Sequence, residues 1–325
     1  MTTVTVIVPA YNEGRNLAAS LARLSDYLAI HRTGGYEFHY LIVDDGSTDD
    51  TFAIAESFAR WREHVRILRH ERNRGLGAAL RTAVGETGTE LAVVFDADMS
   101  YAPSTVMHLI EALEREDADV AFASAYACGG SVANVPLLRR LLSREANRLL
   151  SLATGGKYAT LTCMVRAYRV EALRRLEFRS DRMVAMAELL LDAIRKGVRV
   201  AEVPATLRWS DERHRSRGFP NVPRTLSQIS ATVLLACRYR PSLWLALPGL
   251  FPGLLPLVVG LLLALRVSKT TLAFGTTATV VVQYASLALF TGQITTFVRR
   301  KLQHRRRFHS NGVNNNGLDL PTHTA

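Results

Sequence analysis

The sequence predicts an α/β fold whose sheet is mostly parallel, followed by a helical hairpin in a membrane. Two observations predict the sheet: short runs rich in β-branched residues alternate with helical patterns, and several of these runs end in polar residues. A pair of long charge-free segments near the end of the chain predicts the hairpin. The first part should be Rossmann-like, with its ligands at the C-terminal ends of the strands.

Five runs have the length and composition of strands, and the gaps between them have the periodicity of amphipathic helices. The strands are predicted at 4–10, 39–45, 65–70, 91–98 and 119–124. The helices are predicted near 12–29, 50–62, 77–87 and 103–114. This alternation favours parallel strands, because a parallel pair needs a crossover between its members.

The pattern changes after residue 125. The run "VPLLRRLLSREANRLLSLATG" predicts an amphipathic helix at 135–155, and a second helix is predicted around 183–196. The run "VRVAEVPATLRW" predicts a single closing strand at 198–209. We place the end of this first domain at residue 218.

Residues 242–298 predict a two-helix transmembrane hairpin. At about 1.5 Å of rise per residue, each charge-free segment could span roughly 30 Å of hydrocarbon. Basic residues flank both ends of the region, so the positive-inside rule places the first domain and both termini in the cytoplasm, at the plasma membrane. The alternative is a buried helix pair of a soluble domain, which rarely runs this far without a charge.

The segments on either side of the hairpin predict further contact with the membrane. Residues 219–241 have the pattern of an amphipathic helix on the membrane surface, and 299–325 are a basic run followed by a disordered tail. The chain has a net charge of +11, carried mostly by arginine. Arginine favours phosphate and carboxylate partners, although a GC-rich genome would give the same bias. The basic run follows a predicted span, which favours anionic lipid headgroups over nucleic acid.

Acidic and polar residues follow three of the predicted strands, in "VPAYNE", "VDDGSTDD" and "FDADMS". Because the carboxyl ends of parallel strands share one edge of a sheet, these carboxylates should converge. They would repel a nucleotide's phosphates unless a divalent cation lay between, and Asp96 and Asp98 offer two hard oxygen ligands for one. The alternative is that this pair only caps a turn. The glycines of "NRGLGAAL" do not have the spacing of a dinucleotide-binding loop, which argues against NAD.

Four blocks, "VIVPAYNEGRNL", "LIVDDGSTDDT", "NRGLGAAL" and "VVFDADMS", carry a family resemblance. In this order they resemble the GT-A glycosyltransferases of family two. With the apolar C-terminal segments, the chain is similar to the dolichyl- or polyprenyl-phosphate hexose synthases, and the resemblance covers about residues 4–217.

The resemblance implies a set of binding residues for a nucleotide sugar and a divalent ion. The residues implied at the nucleotide base and ribose are Pro9, Ala10, Tyr11, Glu13 and Asp44. Asp96 and Ala97 are implied at the ribose and diphosphate. Mg²⁺ or Mn²⁺ is implied at Asp98, together with Asp96 and Ser100, where Ser100 stands in place of a common glutamine.

The resemblance also implies that arginines gather the phosphate of a lipid acceptor. The candidates are Arg144, Arg166 and one arginine of "ERHRSRG", for which we take Arg213. Each could instead be an ordinary surface charge. The chain departs from the family pattern at Ala125, where the synthases usually carry a phosphate-binding arginine, and in the altered "DERHRSR" segment.

The expected function is metal-dependent, inverting transfer of a hexose from a UDP-sugar or GDP-mannose to a polyprenyl phosphate. A lipid phosphate is already an anion at neutral pH and needs positioning rather than a base, and we identify no obvious base beyond the strand-end acids. The alternatives are another membrane lipid or glycan as acceptor, or a tethered nucleotide-sugar binder without turnover. Whether the chain forms a homo-oligomer is left open.

Overall fold

A seven-stranded sheet is the centre of the fold in the computed structural model, which describes residues 1–209 and 222–241. The strands of this sheet, in spatial order, are β3 (Val65–Arg69), β2 (Tyr36–Asp44), β1 (Thr2–Ala10), β4 (Leu91–Val94), β7 (Arg166–Arg169), β5 (Val120–Ser124) and β8 (Val200–Pro204). Every neighbouring pair is parallel except the two that involve β7. The predicted mostly parallel α/β fold is confirmed.

Helices cover both faces of this sheet. The helices described are α1 (Leu17–Ile30), α2 (Thr51–Ala59), α3 (Leu76–Glu86), α4 (Ser104–Arg115), α5 (Leu137–Ala153), α6 (Val170–Arg175), α7 (Ala185–Arg195) and α8 (Val222–Tyr239), with a 3-10 turn at His31–Gly34. Alternate residues of β1 enter opposite cores: Val6 packs with α1 and α4, whereas Ile7 packs with α3 and α7. Burial on both faces explains why the strands read as continuous apolar runs.

The order of the strands reverses between β1 and β4. The chain builds outward from β1 through β2 to β3, and then returns to place β4 on the other side of β1. Open α/β sheets bind ligands in the crevice at such a reversal, beyond the carboxyl ends of the strands. The loops that follow Ala10 and Val94 therefore face the position where a ligand is expected.

The antiparallel strand β7 brings the segment before it to the same edge. Because β7 runs against β4 and β5, its first residue, Arg166, pairs with Val94 at the end of β4 and with Phe122 in the middle of β5. Residues 157–165, which we call the β7 segment, consequently cross this edge of the sheet. The sequence patterns did not predict this reversed strand.

The predicted closing strand at 198–209 is two strands in the structure. β8 ends at Pro204 in the main sheet, and β9 (Thr206–Arg208) pairs in parallel with β6 (Ser131–Ala133) in a separate two-stranded sheet. Proline has no N–H to continue the main ladder. The next residue, Ala205, bridges the two sheets, because its N–H bonds Ser124 O and its carbonyl accepts the Ser131 N–H.

Helix α5 confirms the amphipathic helix predicted at 135–155, and it packs against α8. The helix α8 falls within the predicted range 219–241, and its placement on a membrane stays a prediction. In the part of the chain that the structure describes, no helix combines the length and apolar character needed to cross a bilayer. The predicted hairpin at 242–298 and tail at 299–325 lie outside the described residues.

Candidate functional site

The loops that follow β1 and β2, residues 11–16 and 45–50, are joined by hydrogen bonds, and we call them the paired loops. Asn12 adopts a left-handed conformation with φ of 55°. Its N–H donates to Ser47 Oγ at 3.0 Å, and its side-chain oxygen accepts the Thr48 N–H at 2.9 Å. Asparagine tolerates the left-handed region better than most residues, which suits it to this turn.

A second group of bonds fixes the far end of the paired loops. Glu13 N–H donates to Thr51 Oγ1 at 2.8 Å, and Gly14 N–H donates to Asp49 Oδ2 at 3.0 Å. Burial would raise the pKa of Asp49, but the bonds from Thr51 and Gly14 outweigh it and lower the pKa below its usual value. The Asp49 carboxylate therefore holds the two loops together as an anion.

Asp44, at the end of β2, has one carboxylate oxygen without a hydrogen bond. The residue is fully buried, and its Oδ1 accepts the Ser47 N–H at 3.1 Å. Arg69 Nε lies 3.3 Å from Oδ2, but its N–H is not directed at that oxygen. The Arg69 guanidinium instead stacks over the ring of Phe52 at 4.2 Å. A buried acceptor in this state is costly, so it favours a ligand that brings an N–H.

Its neighbour Asp45 holds the loop that precedes α3. Asp45 Oδ1 accepts His70 Nδ1 at 2.7 Å and the Arg74 N–H at 3.0 Å, and Oδ2 accepts the Gly75 N–H at 2.7 Å. His70 in turn bonds Thr82 Oγ1 at 3.0 Å. The "NRGLGAAL" motif is therefore attached to the end of β2, which its glycine spacing alone did not reveal.

The aspartate pair follows β4 in a tight turn across the reversal from the paired loops. Asp96 and Asp98 are both partly exposed, and Met99 between Asp98 and Ser100 has a φ of 56°. The N–H and the hydroxyl of Ser100 both donate to Asp98 Oδ1. Ser100 is itself buried, so in this structure it orients the Asp98 carboxylate.

The small sheet lies directly against this turn. Arg208 N–H donates to Ser100 O at 2.8 Å, and Trp209 N–H donates to Ala133 O at 3.2 Å. Arg139 of α5 places its guanidinium 5.5 Å from the centre of the Trp209 ring. The start of α5 is therefore joined to the aspartate turn through β9.

The position of Arg166 does not fit its predicted role at the acceptor phosphate. The side chain is fully buried, and its guanidinium donates to the carbonyls of Leu161, Cys163 and Met186. These bonds occupy all three guanidinium nitrogens with backbone groups. We therefore correct the expectation: Arg166 holds the β7 segment against α7.

The other predicted arginines differ from Arg166. Arg144 is exposed on α5, where its side chain is accessible to a ligand at the surface. Arg213 lies outside the described residues. Ala125 is buried, at 4% exposure, where the synthases usually carry arginine. Among the side chains expected at the nucleotide, Tyr11 is 44% exposed at the end of β1, next to Pro9 and Ala10.

Two residues that the sequence analysis did not single out hold the β7 segment. Asn147, buried on α5, accepts the N–H groups of Leu161 and Thr162 at 2.8 and 3.1 Å. Glu202 of β8 accepts the N–H groups of Ala159 and Thr160 at 2.8 and 3.0 Å. One feature of the sequence could have revealed the role of Asn147: it is a polar residue on the apolar side of an amphipathic helix.

Cys163, within the same segment, is not poised as a nucleophile. Burial raises the pKa of its thiol to about 11, so the thiol is protonated at neutral pH. Its Sγ lies 3.5 Å from the hydroxyl of Tyr101, whose pKa burial also raises. The groups at this edge that could bind a metal ion or a nucleotide are therefore the carboxylates of the aspartate turn and the paired loops, rather than the thiol of Cys163.

Residues 5–177 match the model of a protein family described as glycosyl transferase family 2. The chain belongs to this family. The match contains the paired loops, the aspartate turn and the β7 segment, whereas β8 and β9 follow it in the sequence. This family 2 chain is thereby identified as a glycosyltransferase, in agreement with the resemblance of its four motifs.

Named relatives of this glycosyltransferase act on polyprenyl lipids. It is 34% identical over 208 residues to a polyprenol monophosphomannose synthase of Mycolicibacterium smegmatis, covering 62% of this chain and 76% of that one. It is 30% identical over 209 residues to an undecaprenyl-phosphate mannosyltransferase of Micrococcus luteus, covering 62% and 82%. A dolichol-phosphate mannosyltransferase of Pyrococcus furiosus is 34% identical over 143 residues, which is 44% of this chain and 39% of that protein.

The fold resembles solved structures of a more distant enzyme. A glucosyl-3-phosphoglycerate synthase from Mycobacterium tuberculosis, in complex with Mn²⁺, UDP and phosphoglyceric acid, superposes with a TM-score of 0.55 at 21% identity. The similarity covers 73% of this chain and 78% of that one. It confirms the predicted GT-A fold.

Proposed function

We propose that this glycosyltransferase moves a hexose from a nucleoside diphosphate sugar to a polyprenyl phosphate, with inversion at the anomeric carbon. The observation that carries the proposal is the pairing of two features across the strand-order reversal. On one side lie the paired loops and Asp44, and on the other lies the turn with Asp96 and Asp98. The names of the mannosyltransferase relatives support the lipid acceptor.

The buried Oδ2 of Asp44 suits the base of the nucleotide. A pyrimidine or guanine ring of the UDP or GDP type presents a ring N–H, and such a donor would satisfy the oxygen that lacks a hydrogen bond. Tyr11 follows Ala10, the residue that pairs with Asp44, and is 44% exposed; Pro9, Ala10 and Glu13 complete the proposed nucleotide side. The hydrogen bonds between the paired loops fix this side before the ligand binds, which reduces the entropy lost on binding.

The residues of the aspartate turn fit a divalent cation. Asp96, Asp98 and Ser100 offer carboxylate and hydroxyl oxygens, the ligands that Mg²⁺ and Mn²⁺ prefer. When bound, such an ion would neutralise the negative charge that develops on the departing diphosphate. In the present geometry Ser100 orients Asp98, and Ala97 is the buried residue between the two aspartates.

The proposed reaction is a direct displacement. An oxygen of the lipid phosphate attacks the anomeric carbon, the bond from that carbon to the diphosphate breaks, and the nucleoside diphosphate leaves with the bonding electrons. The attacking phosphate is already an anion, so no residue has to remove a proton. We propose that Arg144, which is exposed on α5, attracts this phosphate. The same role for Arg213, which lies outside the described residues, stays a prediction. We propose that transfer occurs on the cytoplasmic side of the plasma membrane, with the hairpin that the sequence predicts at 242–298 as the anchor.

Transfer of a labelled sugar into an organic-extractable fraction tests the proposal. Purified full-length enzyme is incubated with UDP-glucose or GDP-mannose, with Mg²⁺ or Mn²⁺, and with either polyprenyl phosphate or the matching polyprenol. We expect label in the lipid phosphate with one of the sugars, none with polyprenol, and none after chelation of the metal.

The same experiment separates the alternatives. Transfer to polyprenol as efficient as to polyprenyl phosphate would indicate an alcohol acceptor and would contradict the role given to Arg144. Binding of a nucleotide sugar without transfer to any extracted membrane lipid would indicate a tethered binding protein, and would overturn the proposal.

A further inference from the structure

A histidine and glutamate cluster lies at the opposite end of the sheet from the aspartate turn. Glu37 and His39 are on β2, and His64 precedes β3. One ligand atom from each of the three side chains lies within 4.8 Å of the others. His39 Nε2 is 3.2 Å from Glu37 Oε1, and His64 Nε2 is 3.8 Å from the same oxygen.

The sheet itself sets this arrangement. Side chains two residues apart on a strand share a face, which places Glu37 and His39 together. Tyr40 pairs with Val65 in the parallel register, so His39 and His64 lie side by side one step earlier. Their ring centres are 4.7 Å apart, and the Tyr40 N–H bonds His64 O at 2.7 Å. Backbone pairing rather than flexible loops therefore positions all three groups.

The surroundings of the cluster suit an ion. On the neighbouring strand β1, Thr3 pairs with Glu37 and Thr5 pairs with His39, so the adjoining face is polar. The cationic side chain that shares the face two residues after His64 is Arg66, and its guanidinium is paired with Glu86 at 2.7 Å. The cluster side chains are 29–39% exposed, which leaves room for an ion and its water to enter.

We propose that Glu37, His39 and His64 bind a divalent transition metal of the Zn²⁺ type, separately from the catalytic ion. Two imidazole nitrogens and one carboxylate oxygen are typical ligands for zinc and unsuited to Mg²⁺, which prefers oxygen alone. Three protein ligands leave a position for water. The metal would link the start of β2 to the residue before β3 and stabilise that edge of the sheet.

The site is far from the aspartate turn. At about 3.3 Å of rise per residue, the seven residues from Glu37 to Asp44 separate the cluster from the carboxyl end of β2 by roughly 23 Å. We therefore expect variants of the cluster to keep the transfer activity of the wild-type enzyme. Unchanged activity and an unchanged circular dichroism spectrum then report that each variant is folded.

Zinc binding to the full-length protein tests the proposal. The protein carries no histidine tag and is held in saturating Mg²⁺, and bound Zn²⁺ is counted by equilibrium dialysis. The variants are His39→Gln, His64→Ala and the shape-preserving Glu37→Gln. The control is His108→Ala, which removes an exposed histidine of α4. Metal held by histidines that no variant changes is common to all five proteins and cancels in the comparison.

We expect the wild type and the His108→Ala variant to bind one more equivalent of Zn²⁺ than the His39→Gln, His64→Ala and Glu37→Gln variants. Loss of a ligand should weaken this site at least about tenfold, the smallest loss typical even for outer-shell partners of a metal. Equal Zn²⁺ binding by all five proteins would overturn the proposal. Loss of this equivalent when the Mg²⁺ concentration is raised further, at constant free Zn²⁺, would overturn the metal class.

Discussion

The two sides of the proposed active site differ in how they are built. On the nucleotide side, the paired loops are fixed to each other, and Asp45 fixes the loop before α3 to β2. On the acceptor side, Asn147 and Arg166 hold the β7 segment through hydrogen bonds, whereas Arg144 on α5 is exposed. A small rigid ligand such as a nucleotide is well served by a preformed site, whereas a long lipid needs an open surface.

Arg144 and Arg166 illustrate this difference within one residue type. Both are arginines on the acceptor side, and the family resemblance implied the same role for both. Arg166 is fully buried and serves backbone carbonyls, whereas Arg144 reaches the surface. Guanidinium chemistry suits both tasks, because it can satisfy several oxygens at once. Substitutions at Asp98, Arg166 and Arg144 should therefore have different effects. They should lower the transfer rate, the free energy of unfolding and the affinity for the acceptor, respectively.

The largest effect is expected from Asp98→Asn. Neutralising this carboxylate should weaken the metal site and lower the transfer rate by roughly 100-fold or more, the loss typical of removing one electrostatic group at a transition state. Asp98 is partly exposed, so the variant should remain folded. The measurement is the initial rate of labelled lipid formation over a range of Mn²⁺ concentrations. Asp26→Asn, an exposed residue of α1, is the matched control, and equal rates for both variants would show that Asp98 is not at the metal.

Arg166→Met should mainly lower the free energy of unfolding. The substitution leaves three buried carbonyls without their donors, and each costs about 1–3 kcal/mol, so we expect a total loss of about 3 kcal/mol or more. Chemical denaturation of the detergent-solubilised protein measures it. Arg115→Met, an exposed residue of α4, should lose little. A stable Arg166→Met protein with a raised requirement for lipid would restore the acceptor role that the structure argues against.

Arg144→Ala should raise the apparent KM for polyprenyl phosphate and leave kcat nearly unchanged. A hydrogen bond to a charged group contributes about 1.5–3 kcal/mol, which corresponds to a lipid affinity weaker by roughly 10- to 150-fold. Rates measured at several lipid concentrations and saturating nucleotide sugar test this. Arg115→Ala serves as the control for the loss of one surface charge. If the KM for the nucleotide sugar changed instead, Arg144 would belong to the other side of the site.

The smallest effect is expected from Asp49→Asn, and it should depend on pH. The pKa of Asp49 is lowered in the folded protein, so its stabilisation is present above the unfolded value of about 3.9 and is lost as the pH falls through the folded value. The variant should therefore be slightly less stable than wild type at pH 7, and the difference should vanish in acid. Thermal unfolding at both pH values measures it. Asp50→Asn, which removes the neighbouring carboxylate whose side chain makes no capping bond to α2, is the matched control.

Much of the fold followed from local patterns in the sequence. The apolar runs that became β1, β2, β4 and β5 are buried on both faces, so their composition alone indicated parallel strands under two layers of helix. The acids at their carboxyl ends indicated the functional edge, because strand ends of one sheet converge. The strand β7 was missed because its direction is decided by its partners β4 and β5, which no local pattern records.

Part of the proposed site could be predicted from the sequence because short local motifs specify it. Asp96 and Asp98 lie on a turn that a short motif specifies, and the structure places them at the strand-order reversal. The exposure of an arginine depends on the packing of distant elements, so "TCMVRAY" and "LLSREAN" gave no means to separate Arg166 from Arg144. The roles of Asn147 and Glu202 also arise from contacts over long sequence separations.

The Asn147 side chain gives helix α5 a mechanical role. Its oxygen holds two consecutive N–H groups of the β7 segment, while its amide nitrogen bonds Ser143 O and Thr162 Oγ1, both at 2.9 Å. Residues 161 and 162 immediately precede Cys163, whose Sγ contacts Tyr101, the residue that follows the aspartate turn. One polar side chain thus ties the register of α5 to the backbone of the β7 segment, so the two are expected to keep the same relative position whether or not the proposed site is filled.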